Sequence, residues 1–204
     1  MRNKIYVWDK VVRFFHWNLV LFFAFAYLTG DDLELLHVYA GYYIIGLISV
    51  RIIWGIIGTR YARFSQFIYS PTTVLSYLKN FFSDKPGEKE YLGHNPAGGW
   101  MVIALLLSIL ATSYSGLKVY ALEGNGPLAS TSLEQRQMHI GGFIKVSDDD
   151  DHESNEDEEF WEEIHEFLAN LTVLLIILHI AGVVLASKKH HQNLIRAMIS
   201  GYKK

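Results

Sequence analysis

Residues 165–179 read HEFLANLTVLLIILH: two histidines bracket thirteen mostly apolar residues, interrupted only by Glu166, Asn170 and Thr172. Imidazole gains nothing from apolar surroundings unless something there takes up its lone pair or its N–H. In a helix an offset of 14 residues makes about 3.9 turns and a rise of roughly 21 Å. His165 and His179 therefore point to nearly the same side, one near each end of a segment of membrane length.

Three more stretches of this kind lie upstream. Val11–Leu28, Val38–Ile57 and Met101–Leu122 join Phe160–Ala186, and each approaches the roughly 20 apolar residues that cross a bilayer. The expectation is an all-α integral membrane protein, a four-transmembrane-helix bundle forming a single domain over 1–204, with spans at about 11–30, 37–58, 99–122 and 158–187. Ala24-Phe25-Ala26 imitates a signal-peptidase site. Because Arg13 and His16 lie inside the first stretch and the apolar run continues past Ala26, an uncleaved helix is expected.

Orientation follows from Lys and Arg. They crowd the N-terminus (Arg2, Lys4, Lys10, Arg13), the loop between spans two and three (Arg60, Arg63, Lys79, Lys85, Lys89) and the tail (Lys188, Lys189, Arg196, Lys203, Lys204). The opposite side carries Asp31, Asp32 and Glu34, then Lys118, Arg136 and Lys145 against DDDDHESNEDEE at 148–159, where 9 of 12 residues are acidic. Both termini are expected in the cytoplasm of a bacterial inner-membrane protein, with an acidic outer loop at 123–157. The net charge of −3 conceals this polarity.

Two shorter helices are expected on the cytoplasmic side. In SPTTVLSYLKNFFSD, Ser70 is placed as an N-cap and Pro71 at the first helical position. Val74, Leu75, Leu78, Phe81 and Phe82 then share a face, as in an interfacial amphipathic helix against membrane lipid. The tail KKHHQNLIRAMISGYKK reads as a short C-terminal helix. Ser154 with Asp157 is a candidate capping box for the fourth span. Cysteine is absent, which excludes disulfides, thiolate-held iron–sulfur clusters and c-type haem attachment.

Under this topology four histidines sort by depth. Helix one runs outward, placing His16 near its inner end; helix two runs inward, placing His37 near its outer end. Helix four also runs inward, with His165 outside and His179 inside. The pairs are His16 with His179 and His37 with His165. Two imidazoles facing each other suit the axial positions of haem iron, whereas zinc takes three or four protein ligands close together. Gly41, Ala169 and Gly182 follow the histidines at about one turn and leave room for a flat ring. Arg51 follows His37 by 14 residues, at the inner depth, where it can pair with a haem propionate or snorkel to the interface. His94, beside Asn95-Pro96, reads as structural, with a quinone site as the alternative. His139, His152, His190 and His191 read as solvated.

VWDKVVRFFHW, LHVYAGYYIIGL with RIIWGIIGTRYARF, YLGHNPAGG, HEFLANLTVLLIILHIAGV and NLIRAMISG together resemble the prokaryotic cytochrome b561 family, which includes the b-type cytochrome subunits of nickel–iron hydrogenases. The resemblance implies a four-helix membrane cytochrome with two haem b groups held by His16, His37, His165 and His179, passing electrons between a redox partner and a quinone such as ubiquinone or menaquinone. The outer loop from Leu122 to Glu159 is longer and more acidic than in compact members.

Three functions compete. The first is electron transfer between the quinone pool and an outer-side cytochrome c or dehydrogenase, with the acidic run steering a basic partner. The second is a superoxide oxidase that reduces quinone, which the family also includes; nine carboxylates near the entrance disfavour an anionic substrate. The third is a haem-free transport or assembly protein. The first is the reading adopted, without deciding whether the chain counts as an enzyme in its own right. No nucleic-acid partner is expected, and the chain is compatible with a homodimer or with a subunit of a larger complex.

Overall fold

A computed structural model describes residues 4–30, 33–83, 91–129 and 149–203. The expectations for Asp31, Asp32, Arg136, His139, Lys145 and Asp148 lie outside the described residues, as does the side chain of His152. Among the described residues six helices run α1 (Lys10–Thr29), α2 (Glu34–Ile57), α3 (Pro71–Phe82), α4 (Pro96–Leu122), α5 (Asp149–Lys189) and α6 (Leu194–Ser200), and a 3-10 turn occupies Phe64–Gln66. Two short strands, β1 (Ile5–Tyr6) and β2 (Tyr202–Lys203), pair antiparallel with Ile5 opposite Lys203. Four of the helices are long and apolar enough to cross a membrane. Their large side chains point outward, with Leu28 80%, Ile56 67% and Leu21 64% exposed, as befits surfaces solvated by lipid rather than water.

Capping explains where the helices begin. The Asp9 carboxylate accepts from Val12 N at 2.8 Å and opens α1, while Ser70 accepts from Thr73 N at 3.3 Å ahead of Pro71, as the sequence predicts. Asn95 caps α4 by accepting from Gly98 N at 2.6 Å, with Pro96 at the first helical position, where a missing N–H costs nothing. Asn193 caps α6 through Arg196 N at 2.7 Å, and Gly201 ends it in the left-handed region with φ 88°, where glycine avoids a Cβ clash.

The fourth long helix begins earlier than its hydropathy indicates. Its backbone is helical from Asp149, so Ser154 lies inside the helix and does not cap it. Asp and Glu near a helix N-terminus are favoured by the macrodipole, which lets the acidic run extend the helix beyond its apolar segment. In α3, Tyr77 is buried and packs edge-on against Tyr91 at 5.8 Å. Leu75 and Leu78 stay exposed, the residues that an interfacial position would cover.

The chain divides into two compact units, residues 1–107 with 173–204, and residues 108–172. In the first, α1 packs along α2, with Phe22 and Tyr43 at 4.1 Å and Tyr43 Oη donating to Asn18 Oδ1 at 3.1 Å. At one end of that pair Val7, Trp8, Val12, Ala62 and Ala197 form an apolar core, with Trp54, Tyr61 and Met198 around it. The C-terminal residues close this core: Gly201 O accepts from Val7 N and Trp8 N, and Arg13 Nη1 donates to Ile199 O at 2.5 Å. In the second unit, buried hydroxyls knit α4 to α5. Ser108 Oγ lies 2.6 Å and Thr112 Oγ1 3.3 Å from Thr172 Oγ1, and Thr172 is wholly buried.

Candidate functional site

His16 sits in the second turn of α1, half-buried, with its Nδ1 buried and without a hydrogen-bond partner. Its imidazole is within electrostatic reach of His179, so the first unit brings together the two residues that depth reasoning places at the inner side. A Cβ built at Gly41 or at Gly182 would meet nothing within 4 Å.

His37 lies in the first turns of α2, and its Nδ1 is 2.9 Å from the Ala26 carbonyl of α1. A carbonyl only accepts, so Nδ1 carries the hydrogen and Nε2 the lone pair. Thr29 supports this corner by donating from Oγ1 to Phe25 O at 2.9 Å.

Arg51 is 3% exposed. Its Nη2 donates to Ala62 O at 3.1 Å and its guanidinium lies 4.8 Å over the Phe64 ring, while Nη1 is buried without a partner. A buried guanidinium nitrogen left unpaired is costly. Arg51 therefore does not snorkel out to water; its unmet donor is directed into the protein.

His94, which reads from the sequence as structural, is packed into the fold. Its ring packs against Trp8 at 4.6 Å and Phe67 at 4.4 Å, and its Nδ1 is buried without a partner. Burial pushes its pKa down to about 3, and the nearby charges of Arg51, Lys203 and His179 push the same way; it is neutral at physiological pH. Lys203 is tied over this loop, donating from Nζ to Tyr91 O at 3.0 Å and to Gly93 O at 3.2 Å.

In the second unit His165 is held from α4. Its Nδ1 is 2.9 Å from Thr112 O and 3.1 Å from Ser115 Oγ. As with His37, the carbonyl acceptor places the hydrogen on Nδ1 and the lone pair on Nε2. Gly116 makes room for the ring, because a Cβ there would lie 2.8 Å from His165 Cε1. None of Thr112, Ser115 and Gly116 was singled out from sequence, since TSYSGL resembles any polar interruption of a span.

Comparison with known proteins supplies the remaining observation. The family model described as "Prokaryotic cytochrome b561" matches residues 7–201. The chain belongs to this family. Membership makes it a b-type membrane cytochrome of prokaryotes, multi-pass and working in electron transport. A curated relative, the "Probable Ni/Fe-hydrogenase B-type cytochrome subunit" of Rhodobacter capsulatus, is 25% identical over 231 residues, covering 99% of this chain and 82% of the relative. No solved structure matches.

The residues of this b561 cytochrome fit a haem. A haem-ligating histidine needs one ring nitrogen anchored by a hydrogen bond, and Nδ1 of His37 and of His165 is anchored in this way. His16 and His179 interact electrostatically. Among the described residues no three His, Asp or Glu side chains converge as a chelating metal site would require.

Proposed function

We propose that the chain is a di-haem b cytochrome linking a membrane quinone, ubiquinone or menaquinone, to a redox protein on the outer side of the bacterial inner membrane. The observation that carries this reading is the electrostatic interaction of His16 with His179 within one unit, the pair that depth sorting anticipates. These two residues hold one haem. His37 and His165 hold the second, on the strength of the 14-residue spacing from His165 to His179 and of the matching tautomers at their Nδ1 atoms.

Bound haem b supplies reversible one-electron chemistry at its iron. The protein's own residues do the rest. Ala26 O and Thr112 O orient the ligating rings, and Arg51 offers Nη1 to a propionate of the haem on the inner side. Burial among apolar helices sets the dielectric around the irons. Both termini lie in the cytoplasm, following the distribution of Lys and Arg.

The relative's name supports a hydrogenase-type dehydrogenase as the outer partner. A basic cytochrome c is served by the same acidic run at 148–159, whose attraction would fade with salt.

The test is a dithionite-reduced minus oxidised spectrum of the purified protein in detergent, with pyridine haemochrome quantified per chain. Two haem b per chain is the expected result. One haem would break one of the two pairs, and none after haem-supplemented expression would overturn the reading.

A further inference from the structure

His165 is gripped differently from His16. Two acceptors converge on the single Nδ1–H of His165, Thr112 O at 2.9 Å and Ser115 Oγ at 3.1 Å. Ser115 donates its own proton to Thr112 O at 2.9 Å, so the hydroxyl turns lone pairs, and no hydrogen, towards the imidazole. Ser115 is 1% exposed, which keeps water from competing for the contact. By contrast, His16 Nδ1 is buried with no acceptor.

An acceptor on Nδ1–H draws that proton away from the ring and leaves more electron density at Nε2. A more basic Nε2 is a stronger ligand, and it favours ferric over ferrous iron, lowering the reduction potential. A second acceptor on the same N–H adds to the effect. It also fixes the ring's rotation, because Thr112 O and Ser115 Oγ approach from one face of α4 while the missing Cβ of Gly116 lets the ring lie close.

We infer that Ser115 is a positioning residue that lowers the reduction potential of the haem bound by His165, acting through His165 Nδ1–H. The inference rests on His165 being a haem ligand, and it goes beyond that assignment by naming the residue that makes the two haems electronically unlike. Thr112 contributes through its backbone carbonyl, which side-chain substitution cannot remove; Ser115 is therefore the position that can be varied.

The experiment is a potentiometric titration of full-length Ser115→Ala, Ser115→Thr and unsubstituted protein in detergent. Haem content per chain and low-temperature EPR of the oxidised haems are recorded alongside. The expected result is that Ser115→Ala raises the potential of one haem only and shifts that haem's g-values. Ser115→Thr, which keeps the hydroxyl, stays close to the unsubstituted protein. Loss of one haem in the Ala variant with retention in the Thr variant also supports the hydroxyl's positioning role. An unmoved potential with both haems present overturns the inference, as does an equal shift of both haems or the same change in both variants. If the unsubstituted protein shows no haem that His165→Ala removes, the ligand assignment itself falls, and the inference with it. That outcome is distinguishable from an intact haem whose potential does not move.

Discussion

Asp9→Ala tests how the first helix is anchored. Asp9 is 6% exposed and accepts from Val12 N at 2.8 Å on one oxygen, and from Trp54 Nε1 at 3.0 Å and Thr59 Oγ1 at 2.5 Å on the other. Losing the cap costs about 1 kcal/mol. Leaving the half-buried Trp54 N–H without its charged acceptor adds roughly 1.5–3 kcal/mol. Thr59 is exposed and turns to water at little cost. The sum is about 3 kcal/mol, or a fall in Tm of roughly 6–12 °C on the scaling for domains of this size.

Asp9→Asn should fall between the two, since asparagine caps as well as aspartate but presents an amide N–H₂ to one of the remaining donors. The assay is thermal melting in detergent, followed by near-UV circular dichroism. Burial alone would raise the Asp9 pKa, but hydrogen bonds from Thr59, Val12, Trp54 and Val11 hold it below its ordinary 3.8. A carboxylate with a depressed folded pKa stabilises at pH values above its unfolded pKa. The Asp9 contribution should therefore be complete at neutral pH and vanish only as the pH falls below about 3.8 and through the folded value. An Ala variant that melts within a degree of the unsubstituted protein at pH 7 would refute the anchoring argument.

Other substitutions probe the site and its supports. His179→Ala should remove one haem and leave the other spectroscopically present; retention of both would break the pairing with His16. Gly116→Ala places a Cβ 2.8 Å from His165 Cε1, so the ring must swing away. The expected outcome is loss or spectral perturbation of the His165 haem with a modest change in Tm, because a side chain yields more cheaply than backbone, and an unchanged spectrum would show that the ring has slack. Thr172→Val deprives the buried Ser108 hydroxyl of its 2.6 Å partner. Hydrogen bonds between membrane helices average about 0.6 kcal/mol and reach about 1.7, and this one should fall at the upper end in a detergent-unfolding titration because Thr172 is wholly buried.

Much of the architecture was legible because hydropathy and capping are local. A run of about 20 apolar residues is a bilayer span whatever its neighbours, and Ser70-Pro71 announces a helix start through chemistry confined to four residues. The early start of α5 was missed because carboxylates read equally well as solvated loop or as a helix N-terminus, and local sequence does not choose between them. The β1–β2 pairing was missed for another reason: Ile5 and Lys203 are separated by almost the whole chain, and two-residue strands carry no periodicity.

For the site, residue type and spacing picked out His16, His37, His165 and His179, because an imidazole at membrane depth needs an explanation wherever it occurs. What each Nδ1 binds depended on other helices: Ala26 O on α1 for His37, and Thr112 O with Ser115 Oγ on α4 for His165. A backbone carbonyl has no identity in a sequence, so only the packing of one helix against another reveals which one accepts. The same holds for His94 and Arg51, whose buried nitrogens acquire meaning from the aromatic rings around them. The sequence by itself determined the membrane helices and the ligand candidates, through hydrophobic length and imidazole chemistry. The tertiary structure alone decided tautomer, anchoring and asymmetry, since those are set by contacts between residues far apart along the chain.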